Sequence, residues 1–311
     1  MASFPFRSNR TYPSRIVCLS AEAVEIIYAL GAADRIVGVT TFARIPASVV
    51  DKPKVSGFST VAYQKIENLK PDLIIAFSDV QADATRELLR RGYPVLATNQ
   101  RSLSEICETI DLVGRVIGCP TAARRLVARF RSGLLKVARQ TKRTEPRPRV
   151  YFEEWDEPLI SGVRWVGELI EIAGGTDVFS DLRDRCRAPD RVVQSEEVVR
   201  RKPEIIVASW CGKRVEIDSI RKRPGWNSIP AVQHGRIYEI ASQDLLQPGP
   251  GILRGLGELR RIIKAFSTAS PLDQHTAAPQ QYRRTRRSGF PSKMVSSDLP
   301  RRSRNVPARN S

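Results

Sequence analysis

The stretch IENLKPDLIIAF, Ile66 to Phe77, returns in the same pattern as VVRRKPEIIVAS, Val198 to Ser209. Each copy ends a helical pattern at a Lys-Pro turn and continues as an apolar, β-rich run. Proline cannot extend a helix, so both copies spell helix, turn, strand. Pro71 and Pro203 stand 203 − 71 = 132 positions apart, too far for a tandem array with a period of roughly 20 to 50 residues. The repetition therefore constrains architecture: the chain is built from two similar halves. Other signals recur in the same order, with Gly31 and Gly174 where helices stop and Gly92 and Gly235 ahead of late strands.

Between these landmarks, strands and helices alternate. RIVCLS, RIVGV, LIIAF and YPVLAT read as strands in the first half, and RVYFEEW, EIIVAS and GRIYEI in the second. Their runs are apolar on both faces, the mark of parallel sheets covered by helices on both sides. The segment TAARRLVARFRSGLLKVARQTKR, following Gly118, is a long helix with an apolar stripe and a basic opposite face, ended by TEPRPR. The expected fold is α/β: two similar lobes with mostly parallel sheets, joined by that single helix, with a ligand cleft between them. The expected divisions are an N-terminal arm (1–14), a first lobe (15–118), the linking helix (119–146), a second lobe (147–266) and a disordered basic tail (267–311).

Charge must be divided before it is interpreted. Of the formal +18, the tail from Ser267 holds nine Lys and Arg against two Asp, a contribution of +7, which leaves +11 on the body. A basic body suits acidic ligands, anionic lipid or nucleic acid without choosing among them. The tail is poor in aromatics, so a dispensable extension is favoured over a nucleic-acid hook, and no nucleic-acid partner is expected. The five cysteines lie apart with no CxxC pair, and only His234 and His275 are present, so no metal site is expected. The N-terminal sequence holds no apolar stretch of the export-signal type, which on its own predicts a cytoplasmic protein.

No nucleophile elbow, HExxH, Walker loop or GxGxxG after a strand occurs, so catalytic residues are expected to be none. In parallel α/β lobes a ligand lies beyond the carboxyl ends of the strands. Those ends offer Ser20, Glu22, Phe42, Phe58 and Phe77 to Asp79 from one half. From the other they offer Glu154, Trp155, Asp156, Trp165, Trp210, Cys211, Gln243 and Asp244. Any one tryptophan is as readily plain packing, but several aromatics at one set of strand ends suit a flat guest. The acidic run FEEWDEP has the density of paired carboxylates or a cation site. Strand alternation, however, sends Glu153 and Trp155 to one side and Glu154 and Asp156 to the other, leaving ligand contact or a solvated loop.

RIVCLSAEAVEIIYALGAADRIVGVT, KVSGFSTVAYQKIENLKPDLIIA, EEWDEPLISGVRWVGELIEIAGG, SEEVVRRKPEIIVAS and RPGWNSIPAVQHGRIYEI, in this order, resemble the substrate-binding proteins of ABC importers for cobalamin and iron–siderophores. The match spans about Arg15 to Phe266, and the EW-D-P and PGW stretches look most like cobalamin-binding members. The resemblance implies a non-enzymatic, monomeric binder of a metal chelate, cobalamin first and haem or a ferric siderophore as alternatives, with no catalytic cofactor. It implies that Phe42 and Phe58 face the guest from one lobe, and Trp155 with Ser242, Gln243 and Asp244 from the other. It further implies a periplasmic location and docking on an ABC permease through an acidic residue on each lobe. Glu196 matches the second of these, whereas the first falls on Gln64, with Glu67 one helical turn on as a substitute. The rival readings are a cytosolic tetrapyrrole binder and a two-lobed sugar-nucleotide transferase, the latter lacking any phosphate loop.

Overall fold

Two separate five-stranded sheets carry the fold. The computed structural model describes residues 11–44, 46–49, 51–141 and 147–268. All but residues 267 and 268 of the expected tail, residues 142–146 of the expected linking helix and most of the N-terminal arm lie outside these. The first lobe comprises β1 (Ile16–Cys18), α1 (Ala21–Ala29), β2 (Ile36–Thr40), β3 (Lys54–Ser56), α2 (Tyr63–Leu69), β4 (Leu73–Phe77), α3 (Ala82–Arg90) and β5 (Val95–Thr98). Helices α4 (Leu103–Val116) and α5 (Pro120–Thr141) follow. The second lobe comprises β6 (Arg149–Asp156), β7 (Leu159–Ser161), α6 (Arg164–Ala173), β8 (Thr176–Asp177), α7 (Ser195–Arg201), β9 (Ile205–Ala208), α8 (Ile217–Arg221), α9 (Pro230–Gln233), β10 (Ile237–Glu239), α10 (Ser242–Leu245) and α11 (Ile252–Thr268).

The first sheet is wholly parallel, in the order β3-β2-β1-β4-β5. The second runs β10-β9-β6-β7, with β8 also on β6; every pairing is parallel except the β6–β7 hairpin. Without β7 and β3, the two sheets have the same order, β2-β1-β4-β5 against β8-β6-β9-β10. Duplication extends to single bonds. Arg15 donates to the carbonyls of Leu69 and Lys70 at the end of α2, and Arg149 donates to the carbonyl of Arg201 at the end of α7. Asp72 accepts from the amide of Arg15 at 2.8 Å, as Glu204 does from that of Arg149 at 2.9 Å. Lys70 and Lys202, ahead of the two prolines, both close their helices in the left-handed conformation, at φ 47° and 42°.

The strands β3 and β7 are additions to the sequence reading. Each is three residues long, too short for its period to show against neighbouring loops. Helix α5 has the expected two faces. Ala123, Leu126 and Phe130 are buried, while Arg124, Arg125, Arg129, Arg131, Lys136 and Arg139 are exposed. The core does not stop at a lobe boundary: one apolar cluster contains Ile16 and Val24, Ile110 and Phe130 of the connecting helices, and Phe152, Val166 and Leu256. Polar ties reinforce it. Leu103 N–H donates to Glu168 at 2.8 Å, Trp165 N–H to the Arg101 carbonyl at 3.1 Å, and Gln100 to the Pro248 carbonyl at 3.2 Å. A shared core with buried cross-ties resists hinge opening.

Candidate functional site

In each sheet the chain winds outward in both directions from a central pair, β1/β4 in one and β6/β9 in the other, and the crevice at such a switch point is where open α/β sheets take ligands. Segments leaving the carboxyl ends of the strands, at and beside these pairs, meet across the lobes. Phe42, after β2, lies against Gly212, after β9; a Cβ on Gly212 would stand 3.3 Å from the ring. Gly212 has φ +77°, so glycine is required there by backbone conformation as well as by the close approach. Phe42 also holds Phe58 edge to face, with centroids 6.2 Å apart, and Phe58 stands 56% exposed at the rim.

One residue beyond Gly212, Lys213 continues this line into the second lobe. Its ammonium lies 4.6 Å from the Trp155 ring centre, 4.7 Å from that of Trp210 and 2.6 Å from the Asp156 carboxylate. The half-buried Trp155 donates its indole N–H to the Glu157 carbonyl at 2.9 Å. Phe58, Phe42, Gly212, Lys213 and Trp155 thus form a chain of contacts crossing from one set of strand ends to the other.

The remaining expected residues lie further in. Trp210 is 3% exposed and donates to Glu153 at 3.1 Å; Trp165 is also 3% exposed and donates to the Leu245 carbonyl at 2.8 Å. Neither ring offers a free face, so both act in packing. Asp244 binds Arg254 at 2.7 Å, and the same guanidinium binds Glu25 of the other lobe at 2.8 Å. Gln243 is half-buried beside it. Strict alternation in FEEWDEP fails, because the register shifts between Glu153 and Trp155 against β7. The bulge lets Trp155 and Asp156 share Lys213. Glu153 turns inward to Arg223 and Trp210, and Glu154 binds Arg191 at 2.7 Å. Burial raises the Glu153 carboxyl above its ordinary range against the pull of Arg223 and Trp210. With Glu153, Glu154 and Asp156 each matched to a cation, this run is an ion-paired wall.

Deeper still, where β1 turns into α1, Ser20 is 7% and Glu22 4% exposed, and neither Ser20 Oγ nor Glu22 Oε1 has a hydrogen-bond partner in the fold. Burial pushes the Glu22 carboxyl up to about 7. The nearby Ser20 hydroxyl and the backbone amide of Glu22 pull the other way, and Glu25 adds to the rise. Cys211 faces the same region. Burial, then the charges of Glu154 and Glu22, push its thiol up to about 12, so it stays protonated and unreactive. Among the described residues no group of three or more His, Cys, Asp or Glu has the arrangement of a metal site.

Of the residues expected to dock, Glu196 and Gln64 are exposed at the starts of α7 and α2, helices whose first residues, Tyr63 and Ser195, are again 195 − 63 = 132 apart. Glu67 is engaged by Arg91 at 2.5 Å. Two surface depressions lie away from the rim, about 680 Å³ beside Ala82, Thr85 and Leu89 of α3, and about 430 Å³ along α7 beside Gln194, Glu196 and Arg200. Sequence reasoning missed Gly212, Lys213, Arg223 and Arg254. WCGK carried a signal in its glycine directly after a strand end; the two arginines lay on loops and a helix with nothing in the pattern to mark them.

Paired α/β lobes with a common core, meeting at their switch points through aromatic rims, define a two-lobed solute-binding protein. The chain belongs to the family described as periplasmic binding protein, whose profile matches residues 16–243. It is 30% identical over 260 residues to YvrC of Bacillus subtilis, an uncharacterized ABC transporter substrate-binding lipoprotein, covering 81% of this chain and 80% of that one. It is 25% identical over 248 residues to a vitamin B12-binding protein of Vibrio parahaemolyticus, covering 79% and 87%. The periplasmic heme-binding protein RhuT of Roseiflexus sp. RS-1 shares the fold, with a TM-score of 0.72 at 23% identity over 82% of this chain and 99% of the other.

Proposed function

We propose that the protein is the substrate-binding component of an ABC uptake system and holds a corrinoid between its lobes. The observation that carries this reading is the line Phe58–Phe42–Gly212–Lys213–Trp155 across the mouth between the strand ends. Aromatic faces from both sides with a few polar groups suit a flat guest of corrin size. Haem and ferric siderophores share that preference, and relatives and fold neighbours include binders of vitamin B12 and of heme. The ammonium of Lys213 over two indoles and the carboxylate of Asp156 place opposite charges at the rim beside the rings. Glu196 on α7 and the equivalent Gln64 on α2, with Glu67 beside it, are the surface points we assign to permease docking.

Titration of the purified protein with cyanocobalamin, haemin and a ferric siderophore, read by tryptophan fluorescence, tests the reading. Quenching by cyanocobalamin is expected, because Trp155 stands at the rim. Absence of quenching and of heat with every member of the panel overturns it.

A further inference from the structure

Among the described residues Glu22 is a buried acidic side chain, 4% exposed, with no ion-pair partner. By contrast, its neighbour Glu25 is held by Arg254 at 2.8 Å, and across the second lobe Glu154 is held by Arg191 at 2.7 Å and Asp156 by Lys213 at 2.6 Å. Glu22 lies between the lobes: a Cβ on Gly249, just before α11, would stand 3.0 Å from the Glu22 Cβ. Three side-chain oxygens at the two switch points are buried without partners, Ser20 Oγ and Glu22 Oε1 after β1 and Ser209 Oγ after β9. A buried donor or acceptor left unpaired destabilises a fold, and packing alone does not require three at the carboxyl ends of two strands. Groups with that arrangement are complementary to hydrogen-bonding atoms of a guest.

Resting on the corrinoid reading above, we propose that Ser20, Glu22 and Ser209 form the polar inner end of the cleft. We further propose that Glu22 selects guests bearing carboxamides over guests bearing carboxylates. A carboxamide offers an N–H to an ionised Glu22 and a carbonyl to a protonated one, so it is satisfied in either state. A guest carboxylate placed there meets an ionised carboxyl at short range with little water between. It is accepted only when Glu22 carries a proton. The charged and titratable groups facing Glu22 are Glu25 with its Arg254 partner, Cys18 in β1, and Cys211 of the second lobe. Both thiols are held protonated by burial, so Glu22 is the group that changes charge near neutrality.

The test compares cyanocobalamin with its monocarboxylate, made by hydrolysing one side-chain amide, and with haemin, at pH 5.5 and pH 8, on the wild type and Glu22→Gln. For the wild type at pH 8, the amide form should bind at least about tenfold more tightly than the carboxylate, as like charges in a desolvated contact repel strongly. The gap should close at pH 5.5. Glu22→Gln, of the same shape, should bind both forms within about threefold at either pH, and its melting curve verifies the fold. Wild-type binding of corrinoid with no amide preference, an unchanged gap in Glu22→Gln, or tight haemin binding at pH 8 would each overturn the inference while leaving a chelate-binding cleft in place. Failure of the wild type to bind any of the three removes the cleft reading itself.

Discussion

Phe42 of the first lobe rests on the backbone of Gly212 in the second, and the approach is tight: a Cβ at position 212 would lie 3.3 Å from the ring. Because Gly212 also has φ +77°, Gly212→Ala meets both a crowded neighbour and a conformation that costs an L-residue about 1–2 kcal/mol. Urea unfolding should show a loss of that size. An unchanged midpoint would mean that the lobes do not touch there in solution.

Glu153 is fully buried, with Arg223 at 2.5 Å as its cation. Arg223→Ala strands a buried carboxylate, for which the expected cost is about 3–5 kcal/mol. Adding Glu153→Gln should recover a large part of the loss, since the stranded charge then disappears. Denaturant titration of the two single variants and the double variant checks this; strict additivity would show that the pair is not coupled.

Glu22 sets a pH dependence with a definite sign. Its folded-state value of about 7 lies above the ordinary 4.5, so the folded chain holds more protons than the unfolded one between those values. Stability from this group is therefore greatest below pH 4.5 and is lost as pH rises to about 7, by about 3 kcal/mol in all. Glu22→Gln should flatten the slope of melting temperature against pH relative to the wild type. Parallel curves for the two proteins would contradict the burial of an unpaired carboxyl.

Lys70 and Lys202 end α2 and α7 in left-handed backbone, a place where glycine is favoured. Lys70→Gly and Lys202→Gly should each add about 0.5–1 kcal/mol, and by similar amounts, since the two turns are copies of one design. Thermal melts of both variants test the pair, and opposite signs would break the equivalence of the lobes.

The parts of this fold legible in the sequence were those written in long or repeated patterns. The Lys-Pro turns located α2–β4 and α7–β9, and the apolar stripe of Leu126 and Phe130 located α5. Strands β3 and β7 were not legible because three residues carry too little periodicity. At the site, strand ends pointed to Phe42, Phe58 and Trp155, since topology alone puts them there. They did not tell rim from interior. Trp165 and Trp210 turn inward because each indole N–H finds a buried acceptor, Leu245 O and Glu153, and such pairings join residues tens of positions apart. The bulge between Glu153 and Trp155 likewise depends on a partner strand that the local pattern does not reveal.

Calorimetric titration with cyanocobalamin, run on the wild type and on Trp155→Ala, asks whether a guest sits between the two lobes. One-to-one binding by the wild type and a weakening of about tenfold or more in the variant are expected, in keeping with the truncation of a rim aromatic. A wild type that gives no heat, or a variant that binds as tightly as the wild type, would contradict a guest held between the two lobes.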